Sequence, residues 1–221
     1  MNSNDYAVRP VSYEIAREMV LSVHYSRTMP TVCYAFGLFH EGCVVGVVTY
    51  GIPASNALCI GVAGRDNRRR VMELNRLAIL PGLHEKNLAS MLVGRSLRML
   101  PKGLIIVSYA DAGEWGHVGY VYQATNFIYT GKTQERTDIF SAGGHSRHHL
   151  PNETRRQPRS AKHRYVFVTG HDKRLIASIR YEKQPYPKGD SRHYETDNPV
   201  SVSGIHKAQE TQPSPQLDFS F

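Results

Sequence analysis

Asp111 lies just past residues 104–109, an apolar run of the kind expected for a strand buried on both faces. Proteins of α/β class place active groups at such strand ends, where a carboxylate can orient or deprotonate an amine. A helix-capping role would use the same residue type. Glu73 and Arg76 stand three apart on an earlier extended stretch. Alternation sends them to opposite faces, which suits two separate tasks better than one mutual salt bridge. Ser108 and Tyr109 alternate in the same way, and Tyr122 follows His117 by five residues on an expected helix, off its face. Asp111, Arg76, Glu73, Ser108 and Tyr122 are therefore the first candidates for catalysis. Downstream of Glu73, a strand runs through Pro81-Gly82 into a helix opened by Asn87. The unpaired amides of such a helix N-terminus bind a diphosphate well, although an ordinary capped helix has the same pattern. His145, His148 and His149 have a spacing able to seize a metal, but their arginine-rich surroundings fit a solvated or phosphate-binding loop better.

The elements that must position these groups are readable from periodicity. Residues 12–23 carry apolar Ile15, Ala16, Met19, Val20 and Val23 behind Ser12, predicting a capped amphipathic helix. Residues 31–50, TVCYAFGLFHEGCVVGVVTY, read as a hairpin turning at Glu41-Gly42. A strand over 71–80, a helix over 87–100, the buried strand over 104–109, a helix over 117–127 and a strand over 162–169 follow. The order predicts an α/β domain with a mixed central sheet flanked by helices. The folded part ends near Tyr186, so residues 1–186 form the domain. Residues 187–221, rich in Pro, Ser, Asp and Gln, form a disordered or loosely attached tail.

Twenty-seven Lys and Arg against 19 Asp and Glu give the 221-residue chain a net charge of +8, which draws it toward polyanions such as nucleic acid. Two basic runs, Arg68, Arg69 and Arg70, and Arg155, Arg156 and Arg159 with Lys162 and Arg164, are candidates for phosphate contact; a solvated surface would look the same. The cysteines Cys33, Cys43 and Cys59 have neither zinc-site nor disulfide spacing, which points to a reducing cytoplasm. The polar residues 1–10 and the lack of a long apolar run predict no signal peptide and no membrane partner.

Two resemblances rest on particular residues. The segment around Glu73 to Ala89 resembles the GNAT acetyltransferase superfamily. Its pyrophosphate loop implies that His84, Asn87 and Ala89, with Ser90 beside them, hold an acyl-CoA such as acetyl-CoA. A histidine and Asn87 replace the usual basic and glycine positions, and asparagine tolerates positive φ. The ordered motifs HYSRTMP (24–30), FGLFHEGCVVGVVTYG (36–51), ELNRL (73–77), SYAD (108–111) and GHVGYVYQATNFIYTG (116–131) are similar to the Mom family of phage DNA-modification proteins. That resemblance implies an enzyme converting the N6 amine of adenine in double-stranded DNA to an acetamido (carbamoylmethyl) derivative, protecting phage DNA from restriction. It adds Tyr25 to the catalytic set and places His24 and Tyr25 as possible iron ligands. An enzyme reaching that amine would flip the base against an aromatic side chain, for which Tyr34, Tyr50, Trp115 and Phe127 are candidates. Acylation of a protein or small-molecule amine by a GNAT enzyme, and DNA binding without catalysis, are the competing functions.

Overall fold

A computed structural model of the chain describes residues 5–83, 85–113, 116–140 and 152–189. Seven strands form one sheet in the order β1-β2-β3-β4-β5-β9-β6, and a two-stranded ribbon, β7-β8, stands apart from it. In chain order these are β1 (Tyr6–Pro10), β2 (Tyr34–His40), β3 (Cys43–Gly51), β4 (Val71–Ile79), β5 (Ile105–Asp111), β6 (Ile128–Lys132), β7 (Arg136–Ile139), β8 (Arg156–Arg159) and β9 (Lys162–Val168). The helices are α1 (Tyr13–Val23), α2 (Asn56–Asn67), α3 (Leu88–Met99), α4 (Tyr120–Ala124) and α5 (Lys173–Ala177). Every pairing in the large sheet is antiparallel except that of β4 with β5.

Alternation on the central strands gives the sheet two apolar faces. Leu74, Ile106 and Ala110 pack with Met19 and Val20 of α1 and Leu92, Val93 and Leu97 of α3. Ile105, Val107 and Val166 pack with Val62 and Ala63 of α2 and Leu175 of α5. Ile105, Ile106 and Val107 have no exposed surface, and burying each such side chain is worth about 1.5–3 kcal/mol. The expected mixed sheet flanked by helices is thus present, and none of the described helices is long and apolar enough to cross a membrane.

Local chemistry sets the ends of the elements. Ser12 caps α1 by accepting from the Ile15 amide, as its sequence predicts. The hairpin turns at Glu41 and Gly42, both at positive φ (50° and 80°), the backbone that a two-residue turn between twisted strands requires. The helix expected over 117–127 is only α4: Gly119 and Asn126, both left-handed, bracket it, and the chain continues straight into β6. His117 therefore precedes the helix. β6, which follows α4 directly, is not foreseen either, and several further elements carry too weak a pattern. These are β1 in the polar start, α2 with its non-helical Gly64, the short α5, and the ribbon β7-β8 within the arginine-rich region. His145, His148, His149, Trp115, His84 and the tail from residue 190 lie outside the described residues.

Candidate active site

The one parallel pair in the sheet is short. Val71, Met72 and Glu73 of β4 register with Ile105, Ile106 and Val107 of β5, after which β4 runs on to Ile79 without β5. Ser108, the next residue of β5, is fully buried at the crotch of this fork and donates through Oγ to the Leu74 carbonyl at 3.0 Å. An open fork between parallel strands exposes backbone and side chains that a continuous sheet would cover, so polar groups gather there.

A second irregularity lies on β4 itself. Thr49 of β3 registers with Arg76 but Tyr50 registers with Leu74, so Asn75 is an extra residue in a β-bulge. Strict alternation fails at this point, and the expectation that Glu73 and Arg76 take wholly separate faces does not carry across it. Asn75 and Arg76, though adjacent, both reach the segment after α1. Asn75 Nδ2 donates to the Thr31 carbonyl at 3.0 Å, while Arg76 donates to the Thr28 carbonyl and hydroxyl, both at 2.9 Å. Glu73 and Arg76 nevertheless feel each other's charge.

That segment carries His24 and Tyr25. The two rings stack with centroids 4.4 Å apart, and Tyr25 is 67% exposed. His24 Nδ1 accepts from the Ser26 amide at 3.1 Å, so the neutral ring keeps its proton on Nε2. Burial, with the Arg76 charge beside it, pulls the imidazole down from 6.5 to about 4. Burial also raises the Glu73 carboxyl against the pull of Arg76 and Lys162. It pushes the Tyr122 phenol up to about 12, despite Ser108 beside its hydroxyl, and Tyr25 and Glu73 push it further. His24, Tyr25, Glu73, Arg76, Ser108 and Tyr122 therefore converge on the fork as one interacting set.

Asp111 stands at the far end of β5 and is already engaged. Its Oδ1 accepts from the Gly113 amide at 3.0 Å and from the Ser160 hydroxyl, tying the strand end to the base of the ribbon. Burial raises its carboxyl, but these bonds, Lys162 and His117 outweigh that and hold it below the ordinary range. Lys162, registered opposite Asp111 on β9, is electrostatically coupled to both Asp111 and Glu73. It thereby links Asp111 to the fork.

At the start of α3, Asn87 adopts φ 69° and makes no side-chain cap, whereas Ser12 and Ser55 cap α1 and α2. Asparagine tolerates this backbone, and the Ala89 and Ser90 amides sit in an uncapped first turn that can take a diphosphate. Of the expected base-stacking aromatics, Tyr50 and Phe127 are fully buried, and the Tyr50 hydroxyl is hydrogen-bonded to Ser96 at 2.7 Å. Both belong to the core, since their apolar rings fill the space between sheet and helices. Tyr34 is only partly buried.

Iron is not supported by these residues. Among the described residues no three His, Cys, Asp or Glu side chains come together, and His24 Nδ1 is committed to Ser26. The basic runs are partly committed as well. Arg68 and Arg70, in a 3-10 turn before β4, donate to the Arg65 and Gly103 carbonyls. Arg155 pairs with Glu153 at 2.7 Å and covers the Phe140 ring, Arg159 pairs with Asp138 at 2.6 Å, and Arg69 and Arg156 are exposed. Sequence reasoning missed Asn75 and Lys162 as members of the site. The signal for Asn75 was the adjacent polar pair Asn75-Arg76, which breaks the alternation begun at Glu73 and Leu74 and marks a bulge.

The Mom protein family model matches residues 5–188. A methylcarbamoylase, mom, of Escherichia phage Mu is 26% identical over 212 residues, covering 84% of this chain and 85% of that protein. Among solved structures, an acetyltransferase from Salmonella typhimurium with acetyl-CoA aligns at 12% identity and a TM-score of 0.47, covering 77% of this chain and 97% of that one. A GNAT-family acetyltransferase from Bacillus cereus aligns at 12% identity and a TM-score of 0.44, covering 74% and 97%.

Proposed function

The chain belongs to the Mom protein family, and from that premise we propose that it is a DNA-modifying transferase acting on the N6 amine of adenine. The product is the acetamido (carbamoylmethyl) derivative, its role is to protect phage DNA from restriction, and its place of action is the host cytoplasm. The observation that carries this reading is the extent of the family match, which spans the whole fork from His24 to Lys162. The phage Mu relative is named a methylcarbamoylase, and the same transfer is assigned to this chain.

The roles follow from the electrostatics. Glu73, its carboxyl raised by burial, is the group best matched to take a proton from the amine near neutral pH. Tyr122, held protonated by its raised pKa, and the Nε2–H of neutral His24 are donors toward charge developing on the transferred group. Exposed Tyr25, stacked on His24, offers a flipped adenine the stacking surface that Tyr50 and Phe127 cannot. Arg76 braces the segment bearing His24 and Tyr25 and supplies positive charge beside Glu73. Asp111 orients Lys162 and the ribbon. Asn87, Ala89 and Ser90 would hold the diphosphate of a bound acyl-CoA, which could supply the two carbons of the transferred group; the carboxamide nitrogen of the product needs a second, nitrogen-bearing donor. Arg69, Arg155, Arg156 and Arg159 contact DNA phosphates, with Arg68 and Arg70 behind them.

The test is the mass of nucleosides digested from plasmid DNA of cells expressing the protein. A heavier deoxyadenosine is expected. Ordinary nucleosides alone, from cells in which the protein is abundant and folded, would overturn the reading, and an acylated protein or small-molecule amine in those cells would replace it.

A further inference from the structure

We propose that Asn75 is a positioning residue for the reaction at the fork, a latch that fixes the segment carrying His24 and Tyr25 against the β-bulge. The inference rests on the fork being the active site.

The latch is built from both sides of the β3–β4 pair. Thr49 is fully buried and donates from Oγ1 to Asn75 Oδ1 at 2.6 Å. A buried hydroxyl is retained where it finds a partner, and this bond settles which end of the Asn75 amide faces outward. The remaining Nδ2 donates to the Thr31 carbonyl at 3.0 Å. Gly51 completes the seat. A Cβ there would lie 1.8 Å from the Thr31 oxygen and 2.8 Å from Asn75 Nδ2, so the Thr31 backbone rests on a bare Cα that no other residue could offer. Arg76, projected to the same segment by the bulge, grips Thr28, and the Cys33 amide donates to the Tyr50 carbonyl at 2.7 Å. The segment is therefore clamped at residues 28, 31 and 33.

Its other end is the reacting pair. Arg27 has φ 43°, and its amide donates to the His24 carbonyl at 2.9 Å, while the Ser26 amide and hydroxyl hold His24 Nδ1. A turn holding a non-glycine residue at positive φ persists only when its surroundings enforce it. The clamp at 28–33 supplies that enforcement, and through it Asn75 sets where the His24 and Tyr25 rings stand relative to Glu73 and Tyr122. Asn75 itself need not touch the base.

Two near-isosteric changes test this. Asn75→Asp keeps the acceptor for Thr49 but turns an oxygen toward the Thr31 carbonyl; Thr49→Val removes the bond that orients the amide. Each should lower kcat for DNA modification by roughly 10- to 100-fold, the loss expected of an ångström-scale misplacement. KM for DNA should stay near wild type, and the melting temperature should fall only by the few degrees that one lost hydrogen bond costs. Thr49→Ser, which keeps a hydroxyl, should restore most of the rate. Hydrogen exchange of the Ser26 and Arg27 amides should accelerate in Asn75→Asp and Thr49→Val. Unchanged kcat and unchanged exchange in both variants would overturn the latch, and so would a raised KM with kcat intact. If the wild-type protein leaves DNA unmodified, the functional reading fails. The exchange measurement still decides the latch: faster exchange supports it and unchanged exchange overturns it.

Discussion

The His24 ring gives the structure a pH signature that can be worked out in advance. The folded imidazole protonates at about 4 rather than 6.5 because it is half-buried and faces the Arg76 charge. Above pH 6.5 the ring is neutral in both folded and unfolded chains, and its contribution to stability is constant. As pH falls from 6.5 toward 4, the unfolded chain takes the proton while the folded chain does not, so stability is lost throughout that window. The gap between 6.5 and about 4 corresponds to about 3 kcal/mol, at 1.36 kcal/mol for each pH unit. Solvent screening of a ring that is not fully buried reduces this to about 2 kcal/mol. For a domain of this size that is a fall of about 4–8 °C in melting temperature. His24→Asn retains an acceptor for the Ser26 amide and has nothing to titrate. His163, also pushed down by burial, contributes the same loss to both proteins. Between pH 7 and pH 4 the wild-type melting temperature should therefore fall further than that of His24→Asn, by about 4–8 °C. Parallel curves, or an NMR titration of His24 with its midpoint near 6.5, would refute the reasoning.

Changing Arg155, Arg156 and Arg159 together to Ala should make the slope of log DNA affinity against log salt shallower, by up to about 0.9 per lost contact. The preferred sequence should not change; an unchanged slope would show that these side chains meet only solvent and their carboxylate partners. Arg76→Gln, Tyr25→Phe and Asp111→Asn should each abolish or sharply lower nucleoside modification while circular dichroism remains native, and full activity in all three would remove them from the mechanism. Glu73→Gln should flatten the rise of the rate with pH, since the raised carboxyl must ionise before it can accept a proton; an unaltered pH profile would exclude it as the base. Tyr50→Phe should cost about 1 kcal/mol of stability for the lost bond to Ser96 and leave modification intact, because the ring belongs to the core.

Strong periodicity and strong turn chemistry made part of the fold legible. The capped α1, the hairpin at Glu41-Gly42, the buried β5 and the RYVFV strand each carry enough apolar residues at one spacing to identify themselves. The elements that escaped notice are short or edge-like, apart from the twelve-residue α2, whose apolar pattern is weak and broken by the non-helical Gly64. β1 is an edge strand with three of its five residues apolar, and β8 is four residues of arginine, glutamine and proline whose pairing comes from its partner β7. In the 117–127 segment apolar spacing suggested a long helix, but Gly119 and Asn126 impose left-handed backbone at both ends. Backbone conformation overrides periodicity there.

The site divides along the same line. Residue types announced Glu73, Arg76, Ser108 and Tyr122, but their convergence depends on two departures from regular sheet, the fork beyond Glu73 and the bulge at Asn75. The fork has no periodic signature, and the bulge shows only as the adjacent polar pair Asn75-Arg76. The fork arises because β5 goes on pairing with β9 up to Asp111 while β4 goes on pairing with β3 up to Ile79. Each inner strand is held by its antiparallel neighbour, and the weaker parallel contact between them gives way. The bulge then turns Arg76 onto the segment after α1, which the bare Cα of Gly51 allows to approach. A glycine at the end of a β-branched strand and two adjacent polar residues in its neighbour are the sequence traces of one device. Each means little until the register places Gly51 opposite Glu73, two residues before Asn75.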